Sequence, residues 1–175
     1  MSEQDRVRWD ARYADEPAGR HGPDPRPVVV RAFPSLPRAG SVLDLACGEG
    51  QSLLWLAERG MVGTGLDVSG VALARAAARA QALGVDVQWG LVDLDRWDAG
   101  QAQWDVVMFL RFFDRALLPE IRRAVRPGGW VLAEVLTTGR HAAGPNELLR
   151  AFVDWHVAWY EEADGIAALA AQRGQ

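Results

Sequence analysis

The residues best suited to chemistry lie in one short segment, 42–50, where a carboxylate, Asp44, precedes two glycines, Gly48 and Gly50. Apolar residues surround Asp44 as in a buried strand, and the apolar positions of residues 51–60 recur at helical spacing. The segment therefore predicts a strand, a tight glycine turn and a helix. Such a turn lets a ligand approach the backbone, and free N–H groups at the helix start favour polar or anionic groups. We interpret it as a nucleotide-type cofactor site.

A second carboxylate follows at a suitable distance. Asp67 ends the predicted second strand, residues 62–68, and lies nineteen positions after Gly48. In folds of this kind an acid about 20 residues beyond the glycine turn accepts hydrogen bonds from ribose hydroxyls. The alternative is that Asp67 is only a cap or turn residue, because Ser69 and Gly70 follow it.

The type of cofactor is narrowed by what the segment lacks. A dinucleotide fingerprint needs a small residue three positions after the second glycine, and that position is Leu53. A phosphate-binding P-loop needs a lysine, and the sequence contains none. What is left is an acid, a small residue at Ala46 and the two glycines, each separated by one residue.

This pattern resembles the glycine loop of class I S-adenosylmethionine-dependent methyltransferases, with Ala46 where glycine is commoner. Because alanine restricts positive φ, we expect Ala46 to be extended. Residues 125–131, which include Pro127-Gly128-Gly129, resemble the signature before the fifth strand of that family. Together these motifs cover residues 40–136.

The resemblance implies a Rossmann-like α/β fold, in which a seven-stranded, mostly parallel sheet has three helices on each face. It implies that S-adenosylmethionine is the cofactor and that Asp93 contacts its adenine amino group, although Asp93 can also be a solvated loop residue. The implied cofactor-binding residues are Tyr13, Asp44, Ala46, Cys47, Gly48, Gly50, Asp67, Val68, Asp93, Leu94, Phe109 and Leu110.

The elements that must position these residues follow from periodicity and breakers. We predict a single domain with an N-terminal lid segment (1–27), a cofactor-binding core (28–136) and a C-terminal substrate-side region (137–175). Residues 165–171 are predicted as the last antiparallel edge strand, with a terminal helix as the alternative. Further predicted helices are 28–33, 71–83, 117–125 and 147–152, and further strands are 85–89, 104–110, 130–136 and 155–160.

The lid prediction rests on Trp9-Asp10-x-Arg12-Tyr13, which resembles an element of many small methyltransferases that closes over the methionine end of the cofactor. A Pro- and Gly-rich stretch follows it, which favours a mobile flap. The alternative is that Trp9 and Tyr13 only attach a short helix to the core.

Two residues are candidates for work on the acceptor. Arg111 directly follows the fourth strand, at the sheet edge where ligands bind, and can orient a polar or anionic acceptor. His141, in the loop after the fifth strand, can take a proton near neutral pH. Either can instead be a solvent-facing loop residue. We expect no metal site, because His21, His141 and His156 lack ligand spacing.

Composition bounds the class of protein. The 175 residues are 49% hydrophobic with a net charge of −4, which suits one globular domain and disfavours nucleic-acid partners, unless arginines gather on one face. Residues 1–6 have no apolar stretch, and no run is long enough to cross a membrane. We expect a cytoplasmic monomer or homodimer.

The order of elements resembles the tellurite-resistance group of small bacterial methyltransferases, including Glu134 at the end of the fifth strand and the Trp-x-Val-x-x-Tyr-Glu-Glu run of residues 155–162. The loop after that strand is shorter than is usual in the group. We predict methyl transfer from S-adenosylmethionine to a small molecule through an O, N, S or chalcogen nucleophile. The alternatives are a catalytically silent S-adenosylmethionine-binding protein and, less favoured, a nicotinamide-dependent oxidoreductase.

Overall fold

A computed structural model describes residues 3–20, 22–139 and 141–175. Met1, Ser2 and His21, which entered the sequence predictions, therefore lie outside the described residues. The α-helices are α1 (Glu3–Asp15), α2 (Pro27–Ala32), α3 (Gln51–Ala57), α4 (Gly70–Leu83), α5 (Leu118–Ala124) and α6 (Glu147–Ala151). The strands are β1 (Ser41–Leu45), β2 (Val62–Asp67), β3 (Val87–Leu91), β4 (Trp104–Leu110), β5 (Val125–Leu136), β6 (His156–Ala163) and β7 (Ile166–Gln172).

The strands form one sheet in the order β3-β2-β1-β4-β5-β7-β6. The first five are parallel, and β7 pairs antiparallel with both β5 and β6. This confirms the predicted seven-stranded, mostly parallel α/β sheet. Because the strand order reverses between β1 and β4, a crevice opens at their carboxyl ends, where ligands bind in open sheets.

Apolar side chains cover both faces of the sheet. Residues from α2, α3 and α4 pack on one face, and residues from α5 and α6 pack on the other. Two of the three short 3-10 helices, Leu94–Arg96 and Arg115–Leu117, complete this second face. Three helices were predicted on each face, but the second face has only two α-helices within the described part of the chain. The strand ends are thereby fixed on a rigid core.

Local capping signals operate as the sequence indicates. The Ser69 hydroxyl accepts a hydrogen bond from Ala72 N at 3.2 Å and begins α4, and Gly84 ends that helix with φ of 68°. Capping of this kind satisfies backbone groups that the helix leaves unpaired. The start of α4, beside Asp67, is therefore well defined.

The prediction for residues 165–171 needs one correction. They form a strand, as the first alternative states, but β7 lies between β5 and β6 and is not an edge strand; the edge is β6. Ala167, Ala168, Leu169, Ala170 and Ala171 are all buried. Alanine has little strand preference of its own, so pairing on both sides determines the conformation of this segment.

Within the described residues, no helix is long and apolar enough to cross a lipid bilayer. The same part of the chain holds no group of three or more His, Cys, Asp or Glu side chains arranged to bind a metal ion.

Candidate cofactor and acceptor site

A cavity of about 640 Å³ opens at the carboxyl ends of the parallel strands. Its walls come from the glycine loop after β1, the ends of β2, β4 and β5, and the N-terminal segment that includes α1. Eight of the twelve predicted cofactor-binding residues line it: Tyr13, Asp44, Ala46, Cys47, Gly48, Asp67, Val68 and Leu110. Residues that are distant in sequence thus converge on one site.

The other four predicted residues lie elsewhere. Phe109 is 1% exposed and Leu94 is fully buried, and both side chains belong to the core. Gly50 is covered by Trp89, because a Cβ atom at Gly50 would meet that ring at 2.7 Å. Asp93 caps the 3-10 helix Leu94–Arg96 and accepts a hydrogen bond from Asp95 N. A cofactor role for these four residues stays a prediction.

The glycine loop has an unusual backbone. Ala46, Gly48 and Gly50 have φ values of 54°, 56° and 71°, so three alternate residues are left-handed. The expectation that Ala46 would be extended is wrong. Cys47 N continues the pairing with Leu66 O at 3.0 Å, and Gly50 N then closes a turn on Cys47 O at 2.9 Å. Those two bonds force the chain to turn at Ala46, at a conformational cost of about 1–2 kcal/mol for alanine.

Asp67 organises this loop. It is 6% exposed, and its Oδ2 accepts a hydrogen bond from Gly48 N at 2.7 Å while its Oδ1 accepts one from Ser69 N at 2.8 Å. Burial raises the pKa of Asp67, and these two N–H groups oppose the rise. Each carboxylate oxygen has a second lone pair, so Asp67 can still accept hydroxyl donors from the cavity.

Asp44 differs from Asp67 in having an unsatisfied atom. Its side chain is 3% exposed, and its Oδ1 has no hydrogen-bond partner among the described residues. Burial, followed by the charge of Asp67, raises the pKa of Asp44 well above its usual range. Since buried acceptors are normally paired, Asp44 points to a ligand that supplies an N–H or O–H donor.

Cys47 also lines the cavity. Burial raises the pKa of its thiol well above the usual value, and the carboxylates of Asp44 and Asp67 add to this effect. Because the thiolate and not the thiol is the nucleophile, Cys47 is poorly suited to covalent catalysis.

The N-terminal helix α1 covers the glycine loop without entering the core, since none of its described residues is buried. The Tyr13 hydroxyl lies against Gly48, where a Cβ atom would meet it at 2.5 Å. Asp10 Oδ1 accepts hydrogen bonds from Ser69 Oγ at 2.7 Å and from Val71 N at 3.3 Å. The position of α1 over the cavity therefore depends on polar contacts and one tyrosine.

A second set of contacts attaches the segment after α1. Glu49 of the glycine loop is buried, and its Oε2 accepts a hydrogen bond from Gly19 N at 2.9 Å. Arg75 of α4 donates to Glu49 Oε1 at 3.1 Å and to the Glu16 carbonyl at 3.0 Å. Sequence reasoning missed Glu49, because its partners lie about 30 residues away on either side.

The two residues predicted to act on the acceptor differ in their position relative to the cavity. Arg111 lines the cavity, whereas His141 is exposed on a turn and does not. The wall beside Arg111 includes Phe112 and Leu136, together with Arg26 from the start of α2. Sequence reasoning singled out neither Leu136 nor Arg26, because no spacing rule connects them with Arg111.

Hydrogen bonds hold described residues of the short loop after β5. Ala143 N donates to Leu136 O at 2.8 Å, and Arg115 binds both carboxylate oxygens of Glu147 at 2.6 and 2.7 Å. Glu147 also accepts from Gly144 N at 2.7 Å. These contacts hold residues 143–147 beside the end of β5.

The parallel sheet, the glycine turn after β1 and the acid at the end of β2 define a Rossmann-like protein that binds a nucleotide-type cofactor. Comparison with known sequences makes the class specific: residues 42–129 match the family described as methyltransferase domain. The chain belongs to this family. The predictions of a class I, S-adenosylmethionine-dependent methyltransferase and of its cofactor are thereby confirmed.

Solved structures agree on the fold. The chain is similar to a structure reported for the conversion of a disulfide bond into a thioacetal group during echinomycin biosynthesis, with TM-score 0.75, 22% identity, and 97% of this chain and 93% of that one covered. It is also similar to TehB from Haemophilus influenzae, with TM-score 0.73 and 20% identity, and the match covers 83% of this chain and 61% of that one. A third similar structure is magnesium protoporphyrin IX methyltransferase from Synechocystis PCC 6803 with bound S-adenosylmethionine. Its TM-score is 0.69 and its identity 19%, and the match covers 84% of this chain and 76% of that one. No curated protein sequence matches the chain.

Proposed function

We propose that this enzyme transfers the methyl group of S-adenosylmethionine to a small-molecule acceptor that binds on the β4–β5 side of the cavity. The observation that carries the proposal is that one cavity joins the glycine loop and Asp67 to a separate wall formed by Arg111, Phe112 and Leu136. Its volume, about 640 Å³, lies in the range of small-molecule sites.

The residues present fit S-adenosylmethionine. The unpaired Oδ1 of Asp44 is an acceptor for an N–H or O–H donor, and Asp67 has lone pairs left for two hydroxyls. We assign Asp67 to the ribose, Asp44 and residues 46–48 to the polar remainder of the cofactor, and Val68 and Leu110 to its apolar contacts. When bound, the cofactor supplies a methyl group on a sulfonium, which is a good leaving group.

The chain's own task is then mainly positioning. Tyr13 and α1 cover the glycine loop and keep water from the cavity, which favours transfer to the acceptor over competing reactions. Arg111 and Phe112 orient the acceptor at the opposite wall, because alignment of the reacting groups supplies most of the rate that such a reaction needs. No catalytic triad or metal is required.

A small acceptor is also favoured by the available surface. A standard protein partner needs about 800 Å² on each side. The segments beyond the cofactor fold are the loop after β5 and α1 with its following loop, which contributes to the cavity wall. Both segments are short. The net charge of −4 disfavours a nucleic-acid acceptor.

The proposal is tested by labelled methyl incorporation from S-adenosylmethionine into small-metabolite, protein, RNA and DNA fractions of a lysate at physiological salt. We expect label only in the small-metabolite fraction. Salt-sensitive incorporation into a macromolecular fraction alone would contradict the small-acceptor assignment, and absence of label from every fraction would support a silent cofactor-binding protein.

Arg111 and His141 are compared in the same assay. Because Arg111 lines the cavity and His141 does not, Arg111→Ala is expected to lower kcat/KM at least tenfold, as for loss of one charge-assisted contact, with cofactor affinity unchanged. His141→Ala serves as the matched loop variant and measures whether a general base acts from that turn. Parental turnover in both variants would remove both residues from the acceptor site.

Closure of α1 gives a further prediction. Since α1 has no buried residue, its amides are expected to exchange quickly in the empty protein and to gain protection across residues 8–14 when S-adenosylmethionine binds. Hydrogen exchange measured by mass spectrometry reports this change. Residues 166–172 of β7, which are paired on both sides and do not line the cavity, serve as an internal control with unchanged exchange. Equal protection of 8–14 with and without cofactor would exclude a lid function.

A further inference from the structure

Two arginines share one buried carboxylate at the β4–β5 end of the cavity. Glu134, at the end of β5, is 4% exposed, and its Oε1 accepts a hydrogen bond from Arg111 Nε at 2.6 Å. Arg26 Nε lies 3.8 Å from the same oxygen. Arg111 N also donates to Glu134 O at 2.6 Å, so backbone and side chain both connect Arg111 to Glu134. We call Arg26 and Arg111 the guanidinium pair.

The charges of this group do not balance. Glu134 carries one negative charge and the guanidinium pair carries two positive charges. Both arginine side chains are about one-third exposed and line the cavity. Each directs Nε towards Glu134, and their terminal Nη atoms make no hydrogen bonds within the described part of the chain. The pair therefore presents unused donors and one net positive charge to the cavity.

A purely structural ion pair explains this arrangement poorly. One arginine would neutralise Glu134, and buried ion pairs contribute little net stability after desolvation. Arg111 is held with φ of 63°, a left-handed conformation that costs a non-glycine residue of order 1–2 kcal/mol. Strain of this kind persists at binding sites where the surroundings determine the conformation. The backbone of Arg26 is likewise fixed, because its N–H donates to Ser52 Oγ of α3 at 3.0 Å.

The pair also lies away from the predicted ribose site. In the order β2-β1-β4-β5, Asp67 ends β2 and Glu134 lies near the end of β5. Three strand spacings separate them, which is about 14 Å. The glycine loop, after β1, lies between. A group bound by the guanidinium pair therefore lies on the β4–β5 side of the cavity, where the acceptor is proposed to bind.

We infer that the guanidinium pair of Arg26 and Arg111, positioned by Glu134, is an anion-binding subsite that selects an acceptor bearing a carboxylate or a phosphate. Planar guanidinium groups match both kinds of anion through paired N–H donors. Arg26 and Arg111 contact the acceptor, and Glu134 is a positioning residue that orients both. The inference rests on the proposed function, because it names the acceptor class for the same cavity.

The test uses the full chain saturated with S-adenosylhomocysteine, whose affinity is measured first by calorimetry. The saturated protein is then titrated with benzoate, phenyl phosphate and the neutral methyl benzoate, with binding followed by saturation-transfer NMR. We expect at least one anion to bind at least tenfold more tightly than the ester. Whichever of benzoate and phenyl phosphate binds more tightly shows whether the subsite prefers a carboxylate or a phosphate.

Arg26→Gln should reduce the preference for the anion at least tenfold and leave the affinity for S-adenosylhomocysteine unchanged. The matched control is Arg31→Gln, because Arg31 lies in α2, stacks on Trp159 and does not line the cavity. A second readout is methyl transfer to 3-mercaptopropionate compared with its methyl ester, where the parent should favour the acid and Arg26→Gln should not.

Each contrary result has a defined meaning. If the parent binds the ester as well as both anions, the subsite is wrong while the proposed function stands. If Arg26→Gln weakens S-adenosylhomocysteine binding as much as anion binding, the pair holds the cofactor and the inference is overturned. If the parent does not bind S-adenosylhomocysteine, both the inference and the proposed function fail.

Discussion

Asp67→Ala is expected to weaken S-adenosylmethionine binding between tenfold and a hundredfold. The side chain is proposed to accept both ribose hydroxyls in a partly desolvated site, and charge-assisted hydrogen bonds contribute about 1.5–3 kcal/mol. The substitution also releases Gly48 N and Ser69 N, which Asp67 binds at 2.7 and 2.8 Å. The glycine loop therefore loses its anchor together with the ribose contact.

Calorimetric titration at constant salt measures the affinity, and thermal denaturation without cofactor separates the two contributions. Asp86→Ala is the matched control, because Asp86 is exposed in the turn before β3. A variant that loses stability yet binds S-adenosylmethionine as tightly as the parent would show that Asp67 supports the loop and does not hold the ribose.

Asp44→Asn is expected to stabilise the empty protein at neutral pH and to weaken cofactor binding. Burial raises the pKa of Asp44 in the folded state well above the value of about 3.9 that applies in the unfolded chain. As the pH rises above about 3.9, Asp44 loses its proton in the unfolded chain before it does so in the folded protein. The stability of the parent therefore falls as pH rises, by up to about 1.4 kcal/mol per pH unit, until the folded-state pKa is reached.

Asparagine does not ionise, so the gain in free energy of unfolding for Asp44→Asn should grow as pH rises from 4 towards 7 and be smallest below the unfolded-state pKa. Denaturant unfolding at several pH values measures the trend. Asp86→Asn controls for the general effect of removing one aspartate. A gain or loss that does not vary with pH would mean that Asp44 ionises normally in the folded protein.

The two predictions concern a pair of acids with different roles. Asp67 is buried with two backbone donors, whereas Asp44 is buried with an unpaired oxygen. An unpaired buried acceptor lowers stability in the absence of ligand and contributes affinity when a donor arrives. The expected opposite effects of Asp44→Asn on stability and on binding follow from this difference.

Local features were predictable from the sequence because they depend on neighbouring residues. The strand, glycine turn and helix around Asp44, and the Ser69 and Gly84 caps of α4, arise from patterns within a few positions. The position of Asp67 at a strand end beside the glycine loop follows from a characteristic spacing in one β-α-β unit. The class of cofactor fold was therefore contained in the sequence of residues 40–136.

Other features depended on contacts between distant parts of the chain. The left-handed backbone of Ala46 is imposed by the bond from Cys47 N to Leu66 O, which overrides the preference of alanine. The Ala-rich segment of β7 becomes an interior strand because β5 and β6 pair with it on both sides. Neither constraint is present in the local sequence, where alanine is compatible with several conformations.

On the acceptor side of the cavity, some features were predictable from the sequence and others depended on the tertiary structure. The sequence alone determined that Arg111 follows the fourth strand, at the edge of the sheet where ligands bind. Only the tertiary structure brought Arg26 and Glu134, more than 100 residues apart, to one end of the cavity, and placed His141 outside it. Charges separated in this way meet because the sheet order sets β5 beside β4 and the packing of α2 fixes Arg26, and no periodicity or spacing rule encodes that meeting.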